Sequence, residues 1–290
     1  MSSPSPRTLL ERLGLKPQKS LGQHFLTQPK QARRIVAALD LTPEDVVVEV
    51  GPGLGALTSL LAEQAGRLVA LELDHRLAEF LQQEFQNQPQ VLILCQDVLT
   101  YDLTALAREV GWPLKVVGNL PYQITSPLLF KLATDKAAME RAVLMMQQEV
   151  ARRLMAAPGN KDYGILSVLL QYHFAIESLF TLGPGNFYPP PQVNSTVVRL
   201  RPRLFQPAAA DPELLRRLVR LAFGQRRKTL HNSLGAGAAD LGLSPAQVPE
   251  LLQAVGIEPQ RRAETLSVAE FVALANHLAA MKVAGAQGEA

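Results

Sequence analysis

The sequence predicts an α/β protein, a mostly parallel sheet covered by helices and followed by a smaller all-helical domain. Three observations carry that expectation. Short β-branched or apolar runs recur between segments of helical periodicity. A glycine-rich turn, Gly51-Pro52-Gly53-Leu54-Gly55, directly follows the first of those runs. Past Pro202 the alternation stops and only helical patterns remain. With 290 residues, 47% of them hydrophobic and 19% charged, the chain is long and apolar enough for one large core and a second smaller one.

Residues 1–28 are polar and irregular, with Lys16 and Lys19 ahead of the segment Leu21-Gly22-Gln23-His24-Phe25-Leu26. A helix starts at Pro29, since proline suits a first helical turn, and runs through Ile35, Val36 and Leu39. Val46-Val47-Val48-Glu49-Val50 is a buried strand bounded by turn residues. The glycine turn leads into a helix over 56–65 that Gly66 stops. Further strands fall at 68–73, 91–95, 114–117 and 142–146, with another helix at 77–85. Regular alternation of this kind implies parallel strands with crossover helices. Residues 147–174 read as helical. Strand candidates at 177–181 and 196–200 flank the proline-rich Phe187-Tyr188-Pro189-Pro190-Pro191. Residues 207–210 read as a linker, and Ser267 with Glu270 forms a capping box that opens the last helix. The expected domains are 1–202 and 203–290.

The net charge is only +3, but it is unevenly spread. Between Arg199 and His231 there are nine Lys/Arg against two acids, which leaves the rest of the chain net acidic. Such a stretch is either a solvated helix face or a phosphate-binding surface, and Arg226, Arg227 and Lys228 are its densest part. Cys95 is the only cysteine, so neither an internal disulfide nor a cysteine zinc site is available. The five histidines are scattered without metal-ligand spacing, and no metal site is expected. No apolar run follows the first charges and none reaches the length of a membrane helix, so a cytoplasmic protein with no membrane partner is expected.

The glycine turn spaces its residues G-x-G-x-G, not the G-x-G-x-x-G of dinucleotide sites. That spacing fits a ligand without phosphate whose atoms approach the backbone near Gly51. Glu72 ends the second strand, where an acid can accept hydrogen bonds from both hydroxyls of a ribose. Asp97 follows the third strand, where an acid can accept a hydrogen bond from an adenine amino group. All three features fall at the carboxyl ends of successive strands, facing one crevice.

Asn119-Leu120-Pro121-Tyr122 follows the fourth strand. An exocyclic amine of adenine is a poor nucleophile because its lone pair is delocalised into the ring. Two acceptors that hold its hydrogens favour a pyramidal nitrogen with a localised pair. The Asn119 side-chain oxygen and the Leu120 carbonyl are those acceptors, and Pro121 restricts Leu120 to an extended geometry that aims the carbonyl. Tyr122 supplies a face for the base to stack on. No His or Cys neighbours the motif in sequence, in keeping with a displacement governed by positioning and not by a strong base.

With these motifs the chain resembles the ribosomal small-subunit RNA adenine dimethyltransferases. The resemblance runs over nearly its whole length and includes Gln23-His24-Phe25-Leu26, Val48-Glu49-Val50-Gly51-Pro52-Gly53, Asn119-Leu120-Pro121-Tyr122, Phe187 to Val193 and Phe223 to Leu230. It implies a Rossmann-like S-adenosyl-L-methionine methyltransferase sheet with a small all-α C-terminal domain that binds RNA. The implied activity is dimethylation of N6 on two adjacent adenosines near the 3′ end of small-subunit rRNA. The implied partner is that RNA or the pre-ribosomal small subunit, with the protein acting as a monomer. Carried over by position, His24 and Leu26 line the methionine end of the cofactor and Gly51 contacts its backbone. Glu72 holds the ribose, Asp97 the adenine, and Asn119 both the methionine end and the target amine. Phe187 stacks on the target base opposite Tyr122, or else is an ordinary core aromatic. Two positions depart from the family, His24 where asparagine is frequent and Gln192 in place of a common lysine. The alternatives are a large-subunit rRNA adenine methyltransferase that confers macrolide resistance and a non-catalytic RNA- or DNA-binding factor of the same fold.

Overall fold

The structure, a computed structural model, describes residues 4–225 and 227–288, with side chains to residue 283. Nine strands are present among these residues: β1 Phe25–Leu26, β2 Val46–Val50, β3 Arg67–Glu72, β4 Val91–Cys95, β5 Leu114–Asn119, β6 Met139–Gln147, β7 Phe174–Leu182, β8 Phe187–Tyr188 and β9 Ser195–Pro202. Seven form one sheet in the order β4-β3-β2-β5-β6-β9-β7, and β1 pairs with β8 in a separate two-stranded ribbon. The ladders from β4 through β6 are parallel, and β9 is antiparallel to both β6 and β7.

The valine-rich β2 is buried along its whole length, which is why it reads as a continuous apolar run without alternation. It lies between β3 and β5, so the strand order reverses beside it. Such a switch point opens a crevice above the carboxyl ends of the two diverging strands, where open α/β sheets bind ligands. Gly118 keeps β5 close to β2, because a side chain there would begin 2.7 Å from the Val50 carbonyl oxygen.

The described chain divides into two compact units, Met1–Ala151 with Phe174–Pro202, and Arg152–His173 with Arg203–Ala290. This differs from a single division after residue 202. The segment read as helical over 147–174 is two helices, Gln148–Met155 and Ile165–His173, and the second lies wholly in the helical unit. Between them Pro158 is followed by Gly159 at φ 83°, a left-handed position that does not continue a helix. Residues 207–210, read as a linker, are tied down within the second unit. There Ala209 N–H donates to the Tyr172 hydroxyl at 3.0 Å, and Ala210 N–H to Asn276 Oδ1 at 2.7 Å. The predicted capping box is present: Ser267 N–H donates to Glu270 Oε2 at 2.7 Å and Glu270 N–H to Ser267 Oγ at 3.2 Å.

Candidate active site

The crevice at the switch point is a cavity of about 1080 Å³ lined entirely by residues of the first unit. That size exceeds what one nucleoside-sized ligand fills, and it leaves room for a second group beside it. His24, Leu26, Gly51, Glu72 and Asp97 line it. So do Asn119, Leu120, Tyr122 and Phe187.

The glycine turn owes its shape to backbone freedom. Gly51, Gly53 and Gly55 have φ of 65°, 60° and 83°, which side-chain-bearing residues rarely adopt. Nothing lies within 4 Å of where a Gly51 side chain would begin, so its backbone is bare toward the cavity. Glu72 braces the turn from β3. Its Oε2 accepts from Gly53 N–H and its Oε1 from Asp74 N–H, each at 2.9 Å. Burial pushes the Glu72 carboxyl up, and the backbone donors of Asp74 and Gly53 oppose that push. A carboxylate has about four acceptor positions, so two remain for a ligand's hydroxyls. Asp97 Oδ1 accepts from Leu99 N–H at 2.9 Å, closing the turn after β4 and holding the half-buried carboxyl at the cavity.

Glu49 is a site residue to which the sequence reading gave no role, although one signal was visible: a lone acid inside a run of valines. It is 1% exposed, lines the cavity, and its Oε2 has no hydrogen-bond partner among the described residues. Burial pushes its carboxyl up to about 8, and the nearby Glu72 adds to the rise. A buried acid without a partner is costly. A ligand carrying positive charge would relieve that cost, and the acidic set Glu49, Glu72 and Asp97 fits a cationic cofactor such as a sulfonium with an amino-acid tail.

Asn119 is the last residue of β5, in register with Met145 of β6, so the strand runs two residues further than predicted. Its Nδ2 donates to the His24 carbonyl at 2.8 Å. That contact fixes the orientation of the amide, since a carbonyl can only accept, and leaves Oδ1 as an acceptor. Leu120 N–H donates to the Met145 carbonyl at 2.9 Å, which continues the ladder into the motif. The Tyr122 ring is half-buried at the cavity.

The fold brings a histidine to this motif although none neighbours it in sequence. The His24 ring lies 5.8 Å from that of Tyr122, and its Nδ1 is 2.7 Å from the Pro189 carbonyl. Nδ1 therefore carries a hydrogen and donates it, since a carbonyl can only accept. The ribbon of β1 and β8 sets this geometry by pairing Phe25 with Tyr188 and Leu26 with Phe187. His24 thus ties together three segments far apart in the chain. Asp74 anchors the same segment, a role with no sequence signal beyond its position as a helix N-cap. Its Oδ2 accepts from Gln18 Nε2 at 2.7 Å and Gln23 Nε2 at 3.0 Å. Burial would raise the Asp74 carboxyl, but hydrogen bonds from Arg76, Gln23 and Gln18 outweigh it and hold it down at about 2.

Phe187 is 4% exposed and packs with Leu26, Met145 and Val197 in the core, so it forms part of the cavity wall as well as core. Arg226 lies outside the described residues. Arg227 and Lys228 are exposed in the second unit, on the turn between the helices Pro212–Gly224 and Leu230–Ala236. Arg216 of that basic stretch pairs with Glu213, and Arg217 Nη1 donates to the Asp240 carbonyl at 3.3 Å.

Comparison with known proteins gives the family. The family model for ribosomal RNA adenine dimethylase matches residues 14–280. A ribosomal RNA small subunit methyltransferase A of Geobacter metallireducens is 47% identical over 271 residues, covering 92% of this chain and 98% of that one. Its namesake from Leptothrix cholodnii is 45% identical, covering 89% and 90%. Among solved structures, a dimethyladenosine transferase from Plasmodium falciparum shares the fold with a TM-score of 0.74 at 24% identity, over 87% of this chain and 96% of that one. The 23S rRNA methyltransferase ErmE has a TM-score of 0.63 at 28% identity, over 88% and 99%. Nearly the whole chain is covered by these matches, and it belongs to the ribosomal RNA adenine dimethylase family.

Proposed function

We propose that this chain transfers methyl groups from S-adenosyl-L-methionine to N6 of two adjacent adenosines near the 3′ end of small-subunit rRNA, as a cytoplasmic monomer acting on that RNA or on the pre-ribosomal small subunit. The observation that carries the reading is the fixed Asn119 amide. Its nitrogen is committed to the His24 carbonyl, and its oxygen is left as an acceptor at the carboxyl end of β5.

When bound, the cofactor supplies an electrophilic methyl on a sulfonium. Glu72 accepts from the ribose while still bracing Gly53, and Asp97 accepts from the cofactor's adenine. Gly51 gives the backbone clearance. His24, Leu26 and Asn119 border the methionine end, with Glu49 supplying compensating negative charge. Asn119 Oδ1 and the Leu120 carbonyl would each accept one hydrogen of the unmethylated target amine, and one of them the single hydrogen left after the first transfer. This frees the lone pair for in-line attack, and the proton displaced at each transfer leaves to solvent. Tyr122 stacks on the extruded base, and Phe187 closes the wall beside it. In this reading the first unit is catalytic, and the helical unit adds RNA contacts through Arg226, Arg227 and Lys228. Among the described residues no helix is long and apolar enough to cross a membrane.

Mapping dimethyladenosine in ribosomal RNA from cells lacking the gene tests the proposal. Loss of both marks from the small-subunit 3′ end, restored by the wild-type chain and not by Asn119→Ala, is the expected result. Intact small-subunit marks, or marks lost from large-subunit RNA together with macrolide resistance, would overturn it.

A further inference from the structure

We infer that residues 12–33 form a phosphate-binding rim, which grips the RNA strand beside the target adenine. The inference rests on the proposed function and adds a surface to it.

From Arg12 to Leu39 the chain contains no Asp or Glu, while Arg12, Lys16, Lys19, Lys30, Arg33 and Arg34 are all cationic. Arg34 is occupied. Its Nη1 donates to Gln31 Oε1 at 2.8 Å, and its guanidinium lies 3.7 Å from the centre of the Phe180 ring. The other five are exposed and have no acid within 4.0 Å among the described residues. Elsewhere in the first unit most cations are paired: Arg67 with Glu109 at 2.7 Å, Lys115 with Asp45 at 2.8 Å, Lys131 with Asp135 at 2.8 Å and Arg199 with Glu177 at 2.7 Å. Free positive charge is therefore concentrated in one segment.

That segment borders the site. Arg12 and Arg33 line the cavity that holds Asn119 and Tyr122, on the helices Pro6–Arg12 and Pro29–Ala37. The segment is also anchored, by Leu10 packed with Phe25 and Leu77, by the amides of Gln18 and Gln23 on Asp74, and by the β1–β8 ribbon. Its cations thus stand on a fixed frame. The acids at the same opening, Glu63 and Glu84, belong to other elements, the end of the helix Thr58–Ala62 and the helix His75–Glu84. The buried acids Glu49 and Glu72 suit a cation, and the exposed cations of the N-terminal segment, which carries no acid of its own between Arg12 and Leu39, suit a polyanion. An extruded base needs its flanking backbone held, and phosphate contacts supply position without reading sequence.

The test is the triple variant Lys16→Ala/Lys19→Ala/Lys30→Ala in the full chain, none of whose sites lines the cavity. A labelled RNA hairpin from the small-subunit 3′ end is titrated between 50 and 200 mM salt. Three lost phosphate contacts should flatten the log–log salt slope by about 2 to 3 and weaken binding about tenfold or more. S-adenosyl-L-methionine affinity and melting temperature should stay at wild-type values. Should the triple variant fold poorly, the three single variants carry the same test, each flattening the slope by somewhat under 1. An unchanged slope alongside salt-dependent wild-type binding overturns the rim and leaves the proposed function standing. Absence of salt-dependent RNA binding by the wild-type chain overturns both. A slope that responds only to Arg227→Ala/Lys228→Ala assigns the grip to the helical unit and refutes the rim.

Discussion

The floor of the cavity and the basic segments at the surface use charge in opposite ways. On the floor each acid has an individual environment: Glu72 is held by two backbone donors, Asp97 by one, and Glu49 Oε2 by none. Each is therefore legible as a single position with a single task. At the surface what matters is availability. The stretch from Arg199 to Lys228 is the denser in sequence, yet Arg199 pairs with Glu177, Arg203 with the Gln171 carbonyl and Arg216 with Glu213. The sparser N-terminal segment keeps five cations free of acids. Charge density along a chain is a poor guide to a nucleic-acid surface, because neighbouring acids and carbonyls consume part of it.

After Asn119, the largest effect expected in the cavity is at Tyr122. Tyr122→Ala should slow methyl transfer about 10–100-fold, the worth of one base stacked on an aromatic ring. Tyr122→Phe should be mild, since the ring and not the hydroxyl is used. Equal damage from both in single-turnover assays would show that stacking is the wrong account.

Glu72→Ala should raise the dissociation constant for S-adenosyl-L-methionine about 10–100-fold, from a charge-assisted bond worth about 1.5–3 kcal/mol. Glu72→Gln keeps one acceptor for the glycine turn and should lose less. Calorimetry on both separates the ribose contact from the bracing of Gly53, and unchanged affinity in the alanine variant would remove the ribose role.

Glu49 makes a pH-dependent prediction. Its folded value, about 8, lies above the ordinary 4.5, so the native chain holds a proton there that the unfolded chain has lost. The ligand-free protein is then progressively destabilised as pH rises from 4.5 toward 8. Glu49→Gln abolishes that slope, so its melting temperature should exceed wild type by a margin that grows with pH across this window. Affinity for the cationic cofactor should rise with pH in the wild type and stay flat in the variant. Parallel stability curves would mean that Glu49 is ionised in a way the burial does not reveal.

The smallest effect is expected at His24. His24→Asn leaves the backbone carbonyl that orients Asn119 and removes the Nδ1 bond to Pro189. One neutral hydrogen bond is worth about 1 kcal/mol, or about 2–4 °C in melting temperature for a chain of this size. Transfer rates should remain within a few-fold of wild type. A collapse in rate would give the imidazole a part in the chemistry.

What was readable in the sequence follows the same division. The glycine turn, Glu72, Asp97 and Asn119 all sit at strand ends, and strand ends follow from periodicity and turn residues, so the sheet and its crevice could be placed in advance. The β1–β8 ribbon pairs only two residues per strand, too few for any period to show, and with it the approach of His24 to Asn119 stayed hidden. The break between the helices Gln148–Met155 and Ile165–His173 was signalled by Pro158-Gly159. That the second helix packs with the C-terminal helices depends on long-range contacts that no local pattern encodes. Glu49 announced itself as an acid among valines, but its lack of a partner is visible only in three dimensions.

The central claim is that the Asn119 side-chain oxygen holds the target amine. Single-turnover methyl transfer by Asn119→Ala, at saturating S-adenosyl-L-methionine and RNA, tests it most directly. Loss of one preorganised polar group should lower the rate about 10²–10³-fold while the RNA affinity and its salt slope remain those of the wild type. A rate near wild type would contradict the account, because the amine would then be held by something other than Asn119.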